Sequence, residues 1–126
     1  DNVLHLHGKL LEAKSTLDKE IYPIKGTELN IGDLCKNSSQ LRPNVVWFGE
    51  AVPKMTAAIN ITKNADIFIV IGTSLNVYPA ASLLQYTVNA KRIILIDPKA
   101  QSINGVEIMA EKATIAVPKL VATLLK

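Results

Sequence analysis

The run Ile67 to Ile71 is five β-branched or aromatic residues without polar alternation. Such a run predicts a strand buried on both faces, as in a parallel sheet. It stops at Gly72-Thr73-Ser74, and a helical stretch led by Pro79 is expected to reach about Lys91. Arg92 to Ile96 reads as a second buried strand, halted by Asp97-Pro98, and Thr114 to Val117 as a weaker third. Met55, Ala58, Ile59 and Thr62 recur at helical spacing within Lys54 to Asn64, with Pro53 suited to a first turn. The last segment opens with Pro118 and presents Leu120, Val121, Leu124 and Leu125 as an amphipathic helix. Strands alternating with helices predict an α/β fold with right-handed crossovers.

The first third of the chain is different. Val3 to Leu6 predicts a short strand running into His7-Gly8. From Lys9 to Arg42 apolar residues thin out, glycines stand at Gly26 and Gly32, and Cys35 to Gln40 is a polar cluster. That stretch reads as a loop-rich excursion with short strands. Strand character returns from Pro43 to Phe48 and ends at Gly49-Glu50. The expected organisation is therefore a strand with His-Gly over 1–8, a small module over 9–42, and the parallel sheet over 43–126. There is no internal repeat or low-complexity tract.

Composition narrows the class. With 126 residues, 48% hydrophobic and 20% charged, the chain is apolar for one small domain. The excess suggests a missing partner, either another subunit or more of the same polypeptide. Starting at Asp1 without methionine, the sequence reads as an excised piece. A net charge of +3 from scattered lysines does not point to nucleic acid. The single cysteine, Cys35, allows no intrachain disulfide. No apolar run reaches the roughly 18 residues of a membrane helix, and no basic-then-apolar leader opens the chain, so a cytoplasmic protein is expected.

Candidate chemistry gathers at strand ends. In open parallel sheets ligands sit beyond the carboxyl ends of the strands, where Gly72, Thr73 and Ser74 would offer backbone N–H groups and hydroxyls to a nucleotide or its ribose. The same tripeptide equally suits an ordinary turn with a helix cap. Asp97 could accept both ribose hydroxyls, or simply initiate the turn before Pro98. His7, followed by glycine, could aim its imidazole into a cleft as a base. His5, two residues back, would point to the opposite face and be structural. Trp47 is expected in the core.

With His7-Gly8, Arg42-Pro43-Asn44-Val45-Val46-Trp47-Phe48-Gly49-Glu50 and Gly72-Thr73-Ser74-Leu75 in that order, the chain resembles the sirtuins, NAD-dependent protein lysine deacylases. The likeness covers the whole chain but only the C-terminal half of a sirtuin catalytic domain. The Val-Trp-Phe-Gly-Glu wording is most similar to the bacterial and mitochondrial-type desuccinylase/deacetylase branch. The resemblance implies a partial Rossmann-like parallel sheet with a small inserted module, NAD as cofactor, and an acylated-lysine protein or peptide as partner. It implies that His7 takes a proton from a ribose hydroxyl as the acyl group is transferred and nicotinamide leaves. Cofactor contacts would come from Gly72, Thr73, Ser74 and Asp97, where sirtuins usually carry asparagine, with Lys112 and Ala113 approaching adenine. Val46, Phe48, Gly49, Glu50 and Val77 resemble the acyl-lysine channel and substrate loop. An extended peptide would add as a strand at Gly49-Glu50 and at Asn76-Val77. Val46 and Phe48, two apart on one strand face, could line the tunnel or pack in the core.

The family's glycine-rich loop and Gln-Asn-Ile-Asp segment precede the catalytic histidine and lie outside these residues. On this reading the N-terminal half of the same domain is missing and the isolated piece is inactive. Sirtuins commonly hold a structural zinc on two Cys-x-x-Cys pairs. Ser15-Thr16-Leu17-Asp18 and Cys35-Lys36-Asn37-Ser38 fall where those belong, and with one thiol left of four no zinc is expected. Two other readings stay open. One is a non-catalytic nucleotide or ADP-ribose-binding module of Rossmann type. The other is an NAD/FAD-fold domain of thiamine-diphosphate enzymes, which leaves His7-Gly8 and Phe48-Gly49-Glu50 unexplained.

Overall fold

The computed structural model describes residues 2–73, 75 and 78–126. It divides into two compact units, Asp1–Lys54 and Met55–Lys126.

In the first unit, β1 (Gly8–Ser15), β2 (Ile21–Pro23) and β3 (Leu41–Val45) form an antiparallel sheet of order β2-β1-β3. The residues from Lys9 to Arg42 are thus a loop-rich stretch with short strands, as expected, β1 being the longest of them. The strand expected over Val3 to Leu6 is absent. Residues 2–5 are irregular, Leu6-His7 is a turn, and the strand begins only at Gly8. The strand expected over Pro43 to Phe48 begins earlier, at Leu41, and stops at Val45. β3 pairs antiparallel with β1, so it joins the small unit rather than the parallel sheet. Pro43 has no N–H to give to a ladder and is tolerated because β3 is an edge strand. The β1–β3 register shifts between Gly8 and Ala13, so β1 bulges against β3. Gly8 sits at φ +90°, and a Cβ there would fall 1.9 Å from the Asn44 carbonyl oxygen. Only glycine fits that crossing.

In the second unit, α1 (Met55–Lys63) matches the apolar spacing that predicts it. β4 (Ile67–Ile71), β5 (Arg92–Ile96) and β6 (Glu107–Met109) form a parallel sheet of order β4-β5-β6. β5 is the central strand and buries Ile94, Leu95 and Ile96. β4, expected to be buried on both faces, is an edge strand. Its Ile67, Ile69 and Ile71 are each more than a third exposed, while Phe68 and Val70 on the other face are better covered. The helix expected from Pro79 to Lys91 is a shorter 3-10 helix, Ala80–Tyr86. Thr87 closes it, its Oγ1 donating to the Leu84 carbonyl at 2.8 Å, and Asn89 donates instead to the Lys63 carbonyl at 2.6 Å. Such side-chain bonds compete with a further helical turn.

The third strand lies elsewhere than expected. Thr114 to Val117 belongs to α2 (Ala113–Leu124), and β6 supplies the strand. Burial overrides the β-branched propensity here: Ala116 and Leu120, four apart, pack on Ile94 and Ile96, with Ala113, Val117, Met109 and Leu124 around them. Pro118 stands inside α2 rather than opening it, on the exposed side. Arg92 grips Glu107 through Nε and Nη2 at 2.8 Å each, fastening the start of β5 to the start of β6.

Candidate functional site

His7 lies in the turn before β1 and is exposed. The turn is marked by the Gly8 N–H reaching the His5 carbonyl at 3.5 Å. His7 therefore does not end a strand, and the two-residue alternation invoked for His5 does not apply. His5 is half-buried and lines a cavity of ≈ 580 Å³ together with Lys14, Arg42 and Glu50. The His7 carbonyl accepts the Val46 N–H at 2.9 Å. Backbone hydrogen bonding thus joins the imidazole-bearing turn to the start of the Val-Trp-Phe-Gly-Glu segment.

Val46 and Phe48 do not share a strand face, since β3 has already ended. Val46 is half-buried, and Phe48 is 93% exposed at the tip of a turn. Trp47 is not in the core. It is 58% exposed, with the Arg42 guanidinium 5.1 Å from its ring centroid, a cation–π contact. The Glu50 N–H donates to the Trp47 carbonyl at 3.0 Å, and Gly49 takes φ +85° at the third position. A positive φ at that position is what a type II turn demands of its glycine. Among the described residues the Gly49 N–H makes no hydrogen bond, whereas that of Glu50 is occupied by the turn.

Glu50 closes the turn with its side chain as well. Its Oε2 accepts the Trp47 N–H at 3.2 Å and an Arg42 Nη2–H at 3.2 Å, its Oε1 bonds Arg42 Nη1, and Lys14 Nζ lies 4.0 Å away. The Arg42 guanidinium, then the Trp47 amide, hold the carboxyl down at about 2. Nothing in the sequence pattern singled out Arg42 or Lys14 for a role, because their relation to Glu50 depends on the β1–β3 register.

In the second unit the cofactor candidates converge. Gly72 and Thr73 follow β4, Asp97 follows β5, and Lys112-Ala113 stands three residues beyond β6 at the start of α2. All lie past the carboxyl ends of a parallel sheet, where ligands bind such sheets. The Gly72 N–H reaches the Ile96 carbonyl at 2.9 Å, drawing the ends of β4 and β5 together. Gly72 has φ +66° and open space where a Cβ would stand, which suits close approach of a ligand. Thr73 Oγ1 accepts the Leu75 N–H at 3.1 Å, and Asp97 Oδ1 accepts the Lys99 N–H at 2.8 Å. Both side chains therefore shape turns. Asp97 Oδ2 accepts no hydrogen bond among the described residues. Ser74, Asn76 and Val77 lie outside the described residues.

The zinc positions carry hydrogen bonds. Ser15, fully buried, accepts the N–H groups of Leu17 and Asp18 on Oγ at 3.2 and 3.4 Å. Asn37 Nδ2 donates to Asp18 Oδ2 at 2.8 Å, and Thr16 Oγ1 meets Ser39 Oγ at 2.8 Å. Burial pushes the Cys35 thiol up, but hydrogen bonds from Ser15 and the Ser39 and Asn37 backbone outweigh it and leave the thiol below its usual range. Among the described residues no group of three or more His, Cys, Asp or Glu could hold a metal ion. One thiol, one carboxylate and hydroxyls already engaged in turns do not suit a structural zinc. No helix among the described residues is long and apolar enough to cross a membrane.

The chain is similar to known proteins over nearly all of its length. An NAD-dependent protein deacylase of Helicobacter pylori is 45% identical over 127 residues, covering 98% of this chain and 56% of its own length. The chain thus spans about half the length of that relative. A crystallised Sir2 homolog–NAD complex superposes with a TM-score of 0.80 at 34% identity, over 98% of this chain and 51% of its own. A Sir2 structure with the inhibitor EX-527, 2′-O-acetyl-ADP-ribose and deacetylated p53 peptide gives a TM-score of 0.76 at 26% identity, over 98% of this chain and 56% of its own. The Sir2 family profile matches residues 1–79, well over half of the sequence, and the chain belongs to the Sir2 family.

Proposed function

We propose that the full-length protein is an NAD-dependent protein lysine deacylase, which removes acyl groups from lysine and releases nicotinamide and O-acyl-ADP-ribose. The observation that carries this reading is the 2.9 Å bond from the Val46 N–H to the His7 carbonyl, which sets a candidate base beside a candidate peptide-binding loop. NAD, when bound, supplies the ribose that receives the acyl group and nicotinamide as the leaving group. His7 accepts the proton of a ribose hydroxyl on its exposed imidazole, as a general base. Gly72, Thr73, Ser74, Asp97, Lys112 and Ala113 hold the cofactor past the carboxyl ends of β4, β5 and β6. On this reading the remaining half of the relatives' length supplies the pyrophosphate contacts.

Gly49 offers a backbone N–H to an extended substrate and Val46 and Phe48 contact the acyl chain, with Asn76 and Val77 as further substrate-pairing residues. Glu50, its own N–H used in the turn, contributes by shaping the loop. The proposed compartment is the cytoplasm. Incubation of full-length protein with NAD and an acyl-lysine peptide tests the reading. Nicotinamide and O-acyl-ADP-ribose should form together, and only when the acylated peptide is present. NAD binding without either product would favour a non-catalytic nucleotide-binding module instead.

A further inference from the structure

Lys14 of β1 and Arg42 of β3 are directly opposed in the antiparallel register. Like charges at such a pair repel, yet both side chains are largely covered, Lys14 17% and Arg42 25% exposed. What stands between them is the Glu50 carboxylate, carried by the turn that follows β3. Arg42 also donates to the Val45 carbonyl at 3.1 Å and places its guanidinium over Trp47. One side chain on the sheet therefore grips the last residue of β3, the first residue of the turn and the residue that closes it. Gly49 gives that turn its shape but no anchorage, since nothing lies within 4 Å of where its Cβ would be. Phe48, 93% exposed, has no packing of its own to hold it.

We infer that Arg42 is a positioning residue, which through Glu50 and with Lys14 as a second cation fixes the Trp47–Glu50 turn so that an acyl-lysine peptide can pair with it. Arg42 does not touch the substrate. Its planar fork donates to the two carboxylate oxygens from two separate nitrogens held in one plane, an arrangement that the single nitrogen of an ammonium group does not offer. The role rests on the deacylase reading above and deepens it by assigning what preorganises the peptide-binding loop. Loss of the fork leaves the turn to sample other conformations, and the peptide must then order it on binding.

The test compares full-length wild type, Arg42→Met, Arg42→Lys and the exchange Arg42→Glu with Glu50→Arg, measuring KM for acyl-lysine peptide and for NAD separately, alongside thermal melting. Arg42→Met should raise the peptide KM about tenfold with the NAD KM within about twofold, the pattern of a lost binding interaction rather than lost chemistry. Arg42→Lys should fall between, and the exchange should recover part of the loss. An active wild type whose peptide KM is unchanged in Arg42→Met and Arg42→Lys would overturn the positioning role alone. Equal rises in both KM values that follow the fall in melting temperature would also overturn it, because that is the signature of general destabilisation. A wild type that releases no nicotinamide would overturn the deacylase reading and the positioning role together.

Discussion

Replacing Gly8 by alanine should be far more damaging than replacing Gly49, although both adopt positive φ, +90° and +85°. The conformational penalty of a Cβ in the left-handed region is about 1–2 kcal/mol at either site. The gain from a less flexible unfolded chain is also shared. What differs is space. At Gly49 nothing lies within 4 Å of a new Cβ, while at Gly8 it would meet Asn44 O at 1.9 Å, Asn44 C at 2.8 Å and Val45 Cα at 3.0 Å. Those atoms are backbone, so β3 itself must move away from β1, an overpacking cost of about 1–3 kcal/mol. Gly8→Ala should therefore lose about 2–5 kcal/mol in urea unfolding, and Gly49→Ala no more than about 2. The displaced segment includes the His7–Val46 hydrogen bond, so amide exchange at Val46 should quicken only in Gly8→Ala. Equal stability losses in the two variants would refute the close β1–β3 crossing at Gly8.

Other consequences follow from single contacts. Glu50, held at about 2, binds fewer protons folded than unfolded, so its stabilisation is present above its ordinary 4.5 and fades as pH falls from there toward 2. Melting temperature between pH 6 and pH 3 should accordingly drop less in Arg42→Met than in wild type, and high salt should shrink the difference because the group is partly exposed. Leu120→Ala opens a hole against Ile94, Ile96 and Ala116 and should cost about 2–5 kcal/mol by urea denaturation. Metal analysis should find far less than one zinc per chain, with melting unchanged by a chelator; stoichiometric zinc would contradict the hydrogen-bonded role given to Ser15, Asp18 and Asn37.

Some of this was legible from residues alone. β4, β5 and α1 follow from continuous apolar runs and helical spacing, signals that local pattern carries well. The small unit was harder, because β1 reads Lys-Leu-Leu-Glu-Ala-Lys and gains its strand character from pairing with β2 and β3. Thr114 to Val117 misled for the opposite reason, its β-branched residues being outweighed by what Ala116 and Leu120 bury together on β5. In the candidate site, the stops of the two apolar runs put Gly72 and Asp97 just past β4 and β5, where they stand, whereas His7 lies in a turn ahead of β1 and not at the end of a strand. The ordered motifs did not reveal that Val46 to Glu50 leaves the strand, nor that Trp47 lies exposed beneath Arg42. The Arg42–Glu50 pair depends on a turn doubling back over its own strand, and Lys14 on a bulged register; neither has a sequence period to announce it.

The central claim is that His7 is the base of an acyl transfer to NAD, and His7→Ala in the full-length protein tests it most directly. The imidazole is exposed and its turn is held by backbone bonds at His5 and Val46, so the substitution should leave folding intact. With NAD and acyl-lysine peptide saturating, O-acyl-ADP-ribose formation should fall by about 10²-fold or more, the loss expected of a general base, while peptide binding is retained. Undiminished product formation by His7→Ala would contradict the account.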